Sequence, residues 1–349
     1  MNRVTLSEIA GRLGLSRITV SKVIHGKPGV SLETQKRVIR ELLENGYGKL
    51  SDDQIRLVEK PRDNQVRNVA VVTIAPDFSE FWLKIINSVS RTLNRSGYNF
   101  IYSILVKGED NRYGLPKTIN RNHVSGIIVI NVYDDSVIRS ILDLGVPAVF
   151  LDTTPSMFQH SREGDLVLLD GVRSIFEITD HLIERGISEF GFMGDITYSQ
   201  TILDRWTGFQ EALSAHGIRS RQQYCFTSSP GGHFYSREEV TGHLKKLTSF
   251  PQAFVCANDF IAFLVVDYLT GLGYRVPQDI AVSGYDDIHE RITAESRLTT
   301  VHVDTEILGQ RLVRQILLRL SEPCMPREII YVQPKVLYRQ STELGQQKL

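Results

Sequence analysis

Cysteine is scarce in this chain. There are three in 349 residues, Cys225, Cys256 and Cys324, in no CxxC spacing and no Cys/His cluster. An odd count excludes a complete disulfide framework, and the three are expected to be small buried apolar side chains rather than metal ligands. Long apolar runs are missing too. Nothing approaches the roughly 20 residues that span a bilayer, so no membrane partner is expected. Met1-Asn2-Arg3-Val4-Thr5 turns amphipathic without an export-signal core, which points to a cytoplasmic protein. Signatures of common catalysis are absent as well: no GxSxG, GxxxxGK, GxGxxG or HExxH. No catalytic residue, metal or cofactor is therefore assigned, and the reading is of a protein that binds rather than an enzyme. Net charge is zero, which argues against a general nucleic-acid coat.

What is present is asymmetry. Residues 1–49 hold nine Lys/Arg and four acids, giving that segment +5 and the remainder −5. A basic end on an acidic body is expected where one end alone meets phosphate. Within that end, Thr5-Leu6-Ser7-Glu8 has capping-box spacing, Leu6, Ile9, Ala10 and Leu13 form an apolar face, and Gly14 is a stop. Ser16 caps a second helix, Arg17 to His25, whose inward face is Val20, Val23 and Ile24. Ser31 caps a third, with Val38, Ile39, Leu42 and Leu43 inward and Asn45-Gly46 ending it. Ala10 permits a close crossing and Gly14 a positive-φ turn, which is helix-turn-helix geometry. Arg17, Ile18, Ser21 and Lys22 then point outward. Arg17 or Lys22 suits guanine O6/N7, Ile18 a thymine methyl, and Ser16 with its helix N-terminus a phosphate.

The runs Val4–Ala10, Leu15–Ile24 and Val30-Ser31 through Asn45-Gly46-Tyr47 resemble the N-terminus of the lactose-repressor (LacI/GalR) family, and the resemblance extends over nearly the whole chain. It implies that Arg17, Ile18 and Lys22 face bases and that Thr19 and Ser21 meet phosphates. Thr5, Leu6, Ser16 and His25 complete the candidate DNA-facing set. The linker departs from the family pattern. Gly48-Lys49 stands where the family has Pro-Asn, and Asp52 and Asp53 sit in the hinge. A short helix over Asp52–Val58, then a flexible tether, is expected. Leu57, or with less support Ile55, is the candidate minor-groove wedge, a lever the two acids oppose.

From Val69 the chain alternates apolar β-branched runs with helical patterns, the sign of parallel sheets covered by helices. Strands are expected at Val69–Ile74, Asn99–Leu105, Gly126–Ile130, Ala148–Leu151, Val167–Leu169, Phe190–Phe192, Ala253–Val255 and Ile280–Val282, with helices at Phe81–Leu93, Ile175–Arg185 and Trp206–His216. Asn131, Asp152, Asn258 and Asp286 follow strands, where a ligand between two sheets would sit, and Arg205 is placed at the start of a helix. Carboxylates accepting from hydroxyls, an arginine fork and nearby aromatics suit a sugar. The resemblance assigns inducer binding to these five positions and, more loosely, to Ser79, Trp82 and Phe226. It also implies a periplasmic-binding-protein-like fold.

The expected architecture is an N-terminal all-α helix-turn-helix head plus an α/β periplasmic-binding-protein-like body of two parallel-sheet lobes. The domains read as 1–49 for the head, 50–67 for the linker and 68–341 for the body, with lobe 1 at about 68–164 and 296–323 and lobe 2 at about 165–295 and 324–341. The expected function is a transcriptional repressor of carbohydrate-utilisation genes. It would be a homodimer on a pseudo-palindromic double-stranded DNA operator, released by a small-molecule effector, a sugar. A purine- or other metabolite-responsive regulator of the same fold is the alternative, and an α/β enzyme a more distant one.

Overall fold

A computed structural model of the chain describes residues 5–45, 47, 50–51, 54, 67–74, 80–108, 110–160, 163–229, 234, 236–288 and 297–343. The chain divides into two units, residues up to 65 and residues from 66 onward.

The first unit holds α1 (Leu6–Leu13), α2 (Arg17–Ile24) and α3 (Leu32–Glu44). Ile9, Ala10, Val20, Val23, Val38, Ile39 and Leu42 interlock as its core, with Leu6, Tyr47 and Leu50 packed against them. Each helix start is fixed by its own cap. Thr5 and Glu8 make the reciprocal capping box, Ser16 Oγ accepts from Thr19 N at 3.1 Å, and Ser31 Oγ accepts from Thr34 N at 3.3 Å. Gly14 takes φ +66° between α1 and α2, a left-handed conformation that glycine adopts without a Cβ penalty. The expected tether at 50–67 begins differently. Ser51 and Gln54 cap one another, and Gln54 Nε2 donates to the carbonyls of Val23 (2.7 Å) and Ile24 (3.1 Å) at the end of α2. Residues 50, 51 and 54 thus belong to the head. The rest of the expected linker helix, with Asp52, Asp53, Ile55 and Leu57, lies outside the described residues.

The second unit contains two parallel sheets. The larger one runs in the order β11-β5-β4-β3-β1-β2: β1 (Asn68–Ile74), β2 (Asn99–Leu105), β3 (Gly126–Ile130), β4 (Ala148–Leu151), β5 (Asp165–Leu169) and β11 (Ile329–Val332). The smaller runs β7-β6-β8-β9: β6 (Phe190–Met193), β7 (Cys225–Phe226), β8 (Ala253–Cys256) and β9 (Ala281–Ser283). β10 (Thr300–His302) and β12 (Lys335–Leu337) pair antiparallel, a ribbon too short to show in the apolar pattern. The helices are α4 (Glu80–Arg95), α5 (Asp135–Asp143), α6 (Pro155–His160), α7 (Gly171–Glu184), α8 (Gln200–Ala215), α9 (Arg237–Leu244), α10 (Asp259–Gly271) and α11 (Thr305–Ser321). β1, β3, β4 and β5 are buried along almost their whole length, as strands covered on both faces must be.

Two expected lobe boundaries are corrected. β5 pairs with β4, and β11 with β5, so residues 165–169 and 329–332 both lie in the first lobe's sheet. The anchor is the buried Asp165. Its carboxylate accepts from the Arg319 guanidinium as a fork (2.6 and 3.0 Å), from Gln315 Nε2 (2.8 Å) and from Glu328 N (3.0 Å), tying β5 to α11 and to the approach of β11. The cysteines also divide. Cys256 is buried and Cys225 half-buried, as small apolar side chains are, whereas Cys324 is exposed.

Candidate functional site

The head presents α2 outward. Val20 and Val23 are buried, while Arg17 is exposed and Ile18 is 71% exposed. Ser21 and Lys22 are half-buried at the edge of the same face, and His25, exposed, is the C-cap, its Nδ1 2.8 Å from Ser21 O. Thr19 Oγ1 lies 2.9 Å from the capping Ser16 Oγ. Leu6, placed in the DNA-facing set, leans half-buried on the head core instead, and the Thr5 side chain is engaged in its capping box. α2 therefore offers a cation at each end, an apolar side chain between them, and a row of hydroxyls. That set suits one edge of a DNA major groove.

In the body, one cleft gathers residues from both sheets. Its walls include Phe81, Trp82, Asn131, Tyr133, Asp152, Tyr198, Thr201, Arg205, Asn258 and Asp286. Six of the eight expected effector residues thus converge. Ser79 lies outside the described residues. Phe226 is not among the cleft's lining residues, and its ring packs on His243 with centroids 5.0 Å apart. Arg205 stands in the second turn of α8 rather than at its start, because Ser199 caps the helix six residues earlier.

Backbone geometry singles out the strand-end residues. Asn131 (φ +56°), Asp152 (+65°) and Asp286 (+105°) all hold a left-handed backbone that non-glycine residues seldom adopt, a concentration characteristic of functional sites. Asp152 is fully engaged. Oδ1 accepts from Thr153 N (2.8 Å) and Thr201 N (3.2 Å), and Oδ2 accepts from Thr201 Oγ1 (2.5 Å) and Tyr133 OH (3.2 Å). As Thr201 is on α8 of the second lobe, this carboxylate ties the lobes together, reinforced by Gln200 N donating to Thr153 O at 2.7 Å. Burial pushes the Asp152 carboxyl up, and its hydrogen bonds with Thr201 and Thr153 oppose that.

Arg205 is buried. Its guanidinium stacks 3.6 Å from the Tyr285 ring centroid, donates from Nη1 to Ala257 O at 2.5 Å, and holds Nη2 3.6 Å from Asp286 Oδ1. Burial pushes Asp286 up to about 6 against the pull of Arg205. Asn258 caps α10, its Oδ1 accepting from Ile261 N at 2.9 Å. Asp287 diverges from its neighbour, binding His302 Nδ1 (2.8 Å) and Arg339 Nη2 (2.7 Å). Among the described residues no group of three or more His, Cys, Asp or Glu could hold a metal ion. Tyr133 and Tyr198, whose rings meet at 4.5 Å, are lining residues that the sequence reading missed, since neither follows a strand directly.

A helix-turn-helix head on a two-lobed body with a polar cleft is the architecture of a ligand-responsive DNA-binding regulator. Comparison with known proteins agrees. Residues 5–48 match the model of the lacI family of bacterial regulatory proteins, and residues 179–342 match the periplasmic binding protein-like domain. The HTH-type transcriptional repressor PurR of Mannheimia succiniciproducens is 26% identical over 345 residues, covering 97% of this chain and 98% of that protein. Two solved structures share the fold. A transcriptional regulator CelR–cellobiose complex has a TM-score of 0.69 at 24% identity, with 97% of this chain and 100% of the other covered. A lac repressor dimer bound to operator and the anti-inducer ONPF has a TM-score of 0.65 at 22% identity, with 99% and 100% covered. These matches support a regulator of the LacI/GalR family. No helix among the described residues is long and apolar enough to cross a membrane.

Proposed function

We propose that this protein is a homodimeric, sequence-specific transcriptional repressor, acting in the cytoplasm, whose operator affinity is set by a small sugar in the interlobe cleft. The observation that carries the reading is one cleft in which Asn131, Asp152, Arg205, Asn258 and Asp286 meet from both sheets, in a chain whose head exposes Arg17 and Ile18. Carboxylates and amides at the ends of strands, facing aromatic rings, fit the hydroxyls and C–H faces of a sugar. A ligand held by both lobes stabilises one lobe arrangement over the other, and that difference is all that can reach the DNA. That the CelR neighbour is a complex with cellobiose supports a sugar. The aromatic walls would also accept a planar base, so nucleobases belong in the ligand panel. We read the cleft as a binding rather than a catalytic site.

The dimer has a candidate surface. β2 is the open edge of the larger sheet, and Tyr102, Ile104 and the following Val106 are exposed there, as is Leu83 on α4. A second copy covering this edge would remove an aggregation liability.

Selection from a random DNA library tests the reading. An inverted repeat should be enriched, and Arg17→Ala or Lys22→Ala should weaken its binding by about 1–3 kcal/mol while random DNA is less affected. Failure to enrich any sequence over bulk competitor, with and without candidate ligands, would sink the regulator reading.

A further inference from the structure

Among the described residues in and around the cleft, charge does not balance. Among the described residues lining it, Arg205 is the one cation, against the carboxylates of Asp152 and Asp286. Behind Arg205 on the same helix, Asp204 is 7% exposed. Its Oδ1 accepts from Gln200 Nε2 at 2.7 Å, while its Oδ2 is buried with no hydrogen-bond partner. Asp204 lies close enough to Asp152, Arg205 and the α7-capping Asp170 to feel all three charges. The arginine is already committed to Asp286, the Ala257 carbonyl and the Tyr285 ring. Asp152 is served by hydroxyls and by the N–H groups of Thr153 and of Thr201 in the first turn of α8, which leaves Asp204, among the described residues, without a countercharge of its own. Buried negative charge in excess of its partners either takes up protons or draws in a cation. Burial pushes both Asp204 and Asp286 up to about 6, so near neutral pH both remain largely ionised.

The remaining walls suit the cation. Phe81, Trp82, Tyr133 and Tyr198 present four aromatic rings to the same space, and ring faces attract ammonium groups. A neutral hydroxyl can donate to one of these carboxylates but leaves its negative charge uncancelled, whereas an ammonium, with three donors and no acceptor, also neutralises that charge and is drawn to the ring faces.

We propose that the effector is a polyhydroxylated compound bearing a protonated amine, an amino sugar in chemical class, with the ammonium held between the Asp286 carboxylate and the aromatic walls. This rests on the sugar reading of the cleft and narrows it.

The test uses full-length protein and matched sets of glucose, galactose and mannose, each with its 2-amino-2-deoxy and N-acetylated forms. Binding is followed by tryptophan fluorescence and calorimetry at pH 7.5 and pH 5. The amino form of at least one set should bind ten-fold or more tighter than both its parent and its N-acetyl form. That preference should shrink at pH 5, where Asp204 and Asp286 are largely protonated, and Asp286→Asn should bring the amine-to-parent ratio near one. If parent or N-acetyl sugars bind as tightly as the amines, the amine is overturned while the sugar reading stands. If no member of any set binds, the sugar reading falls and takes the amine with it. Should Asp286→Asn fail to fold, the pH dependence of the wild-type ratio decides: a ratio unchanged between pH 7.5 and 5 overturns the proposal.

Discussion

A guanidinium sealed from water needs every partner it has. Arg205 is wedged between the Tyr285 ring, the Ala257 carbonyl and Asp286, so Arg205→Ala leaves a buried carboxylate without its countercharge. The expected cost is about 3–5 kcal/mol of body stability, read by denaturant titration. Ligand response should vanish while the head, with its own core, still binds DNA. Arg205→Lys should rescue charge but not response, because an ammonium cannot reproduce the fork and the stack. Asp204 and Asp286 contribute to the acid–base behaviour, beside Asp152 and Asp259, which burial also raises, and His181, which burial lowers. The folded values of the first two, raised to about 6 from 3.8, mean that the native body holds protons the unfolded chain has already lost. The stability these two carboxyls lend to the ligand-free body should therefore be lost as pH rises from about 4 to about 6. Each carboxyl should contribute on the order of 2–3 kcal/mol to that loss. Asp204→Asn should flatten the slope, and a pH series of melts checks it.

At the scale of elements, α7 and α8 approach unusually closely at Gly208, where an added Cβ would sit 2.1 Å from the Val172 carbonyl oxygen. Gly208→Ala should force the helices apart at a cost of about 1–3 kcal/mol or more, lowering the melting point of the body and shifting Arg205, one turn away on α8. Calorimetry would show it as a loss confined to the body's transition. Elements of this kind were largely legible. β3 and β4 begin and end where their apolar runs do, because strands buried on both faces carry an uninterrupted signal, and β2, half-exposed at the sheet edge, matches its run as well. The start of α8 was not legible: Gln200 and Thr201 at its cap are polar, and the buried Asp204 and Arg205 interrupt the apolar stripe after Ile202 and Leu203. Nor could the pattern assign β5 and β11 to a lobe, since an apolar run names no neighbour, and the Asp165–Arg319 fork that decides it spans 154 positions. The strand-end cleft residues were found because their chemistry follows a strand. Tyr133 and Tyr198 were missed because loop aromatics give no periodic signal, and Phe226 was misplaced because a two-residue strand fixes no register.

For the molecule as a whole, the exposed β2 edge is the proposed seat of association. Ile104→Lys should shift the protein from dimer to monomer in sedimentation at micromolar concentration, and should reduce binding to an inverted repeat far more than to a half-site. The head has a consequence of another kind. Its interior is closed upon itself by Ile9, Val20, Val38, Ile39 and Leu42, while the groove-facing side of α2 contributes almost nothing to that interior. Evolution can thus redraw which genes are read by exchanging a few surface letters, at no expense to folding and without retraining the sensor. A regulator assembled this way is an adaptor: vocabulary at one end, taste at the other, each free to drift while the other holds still.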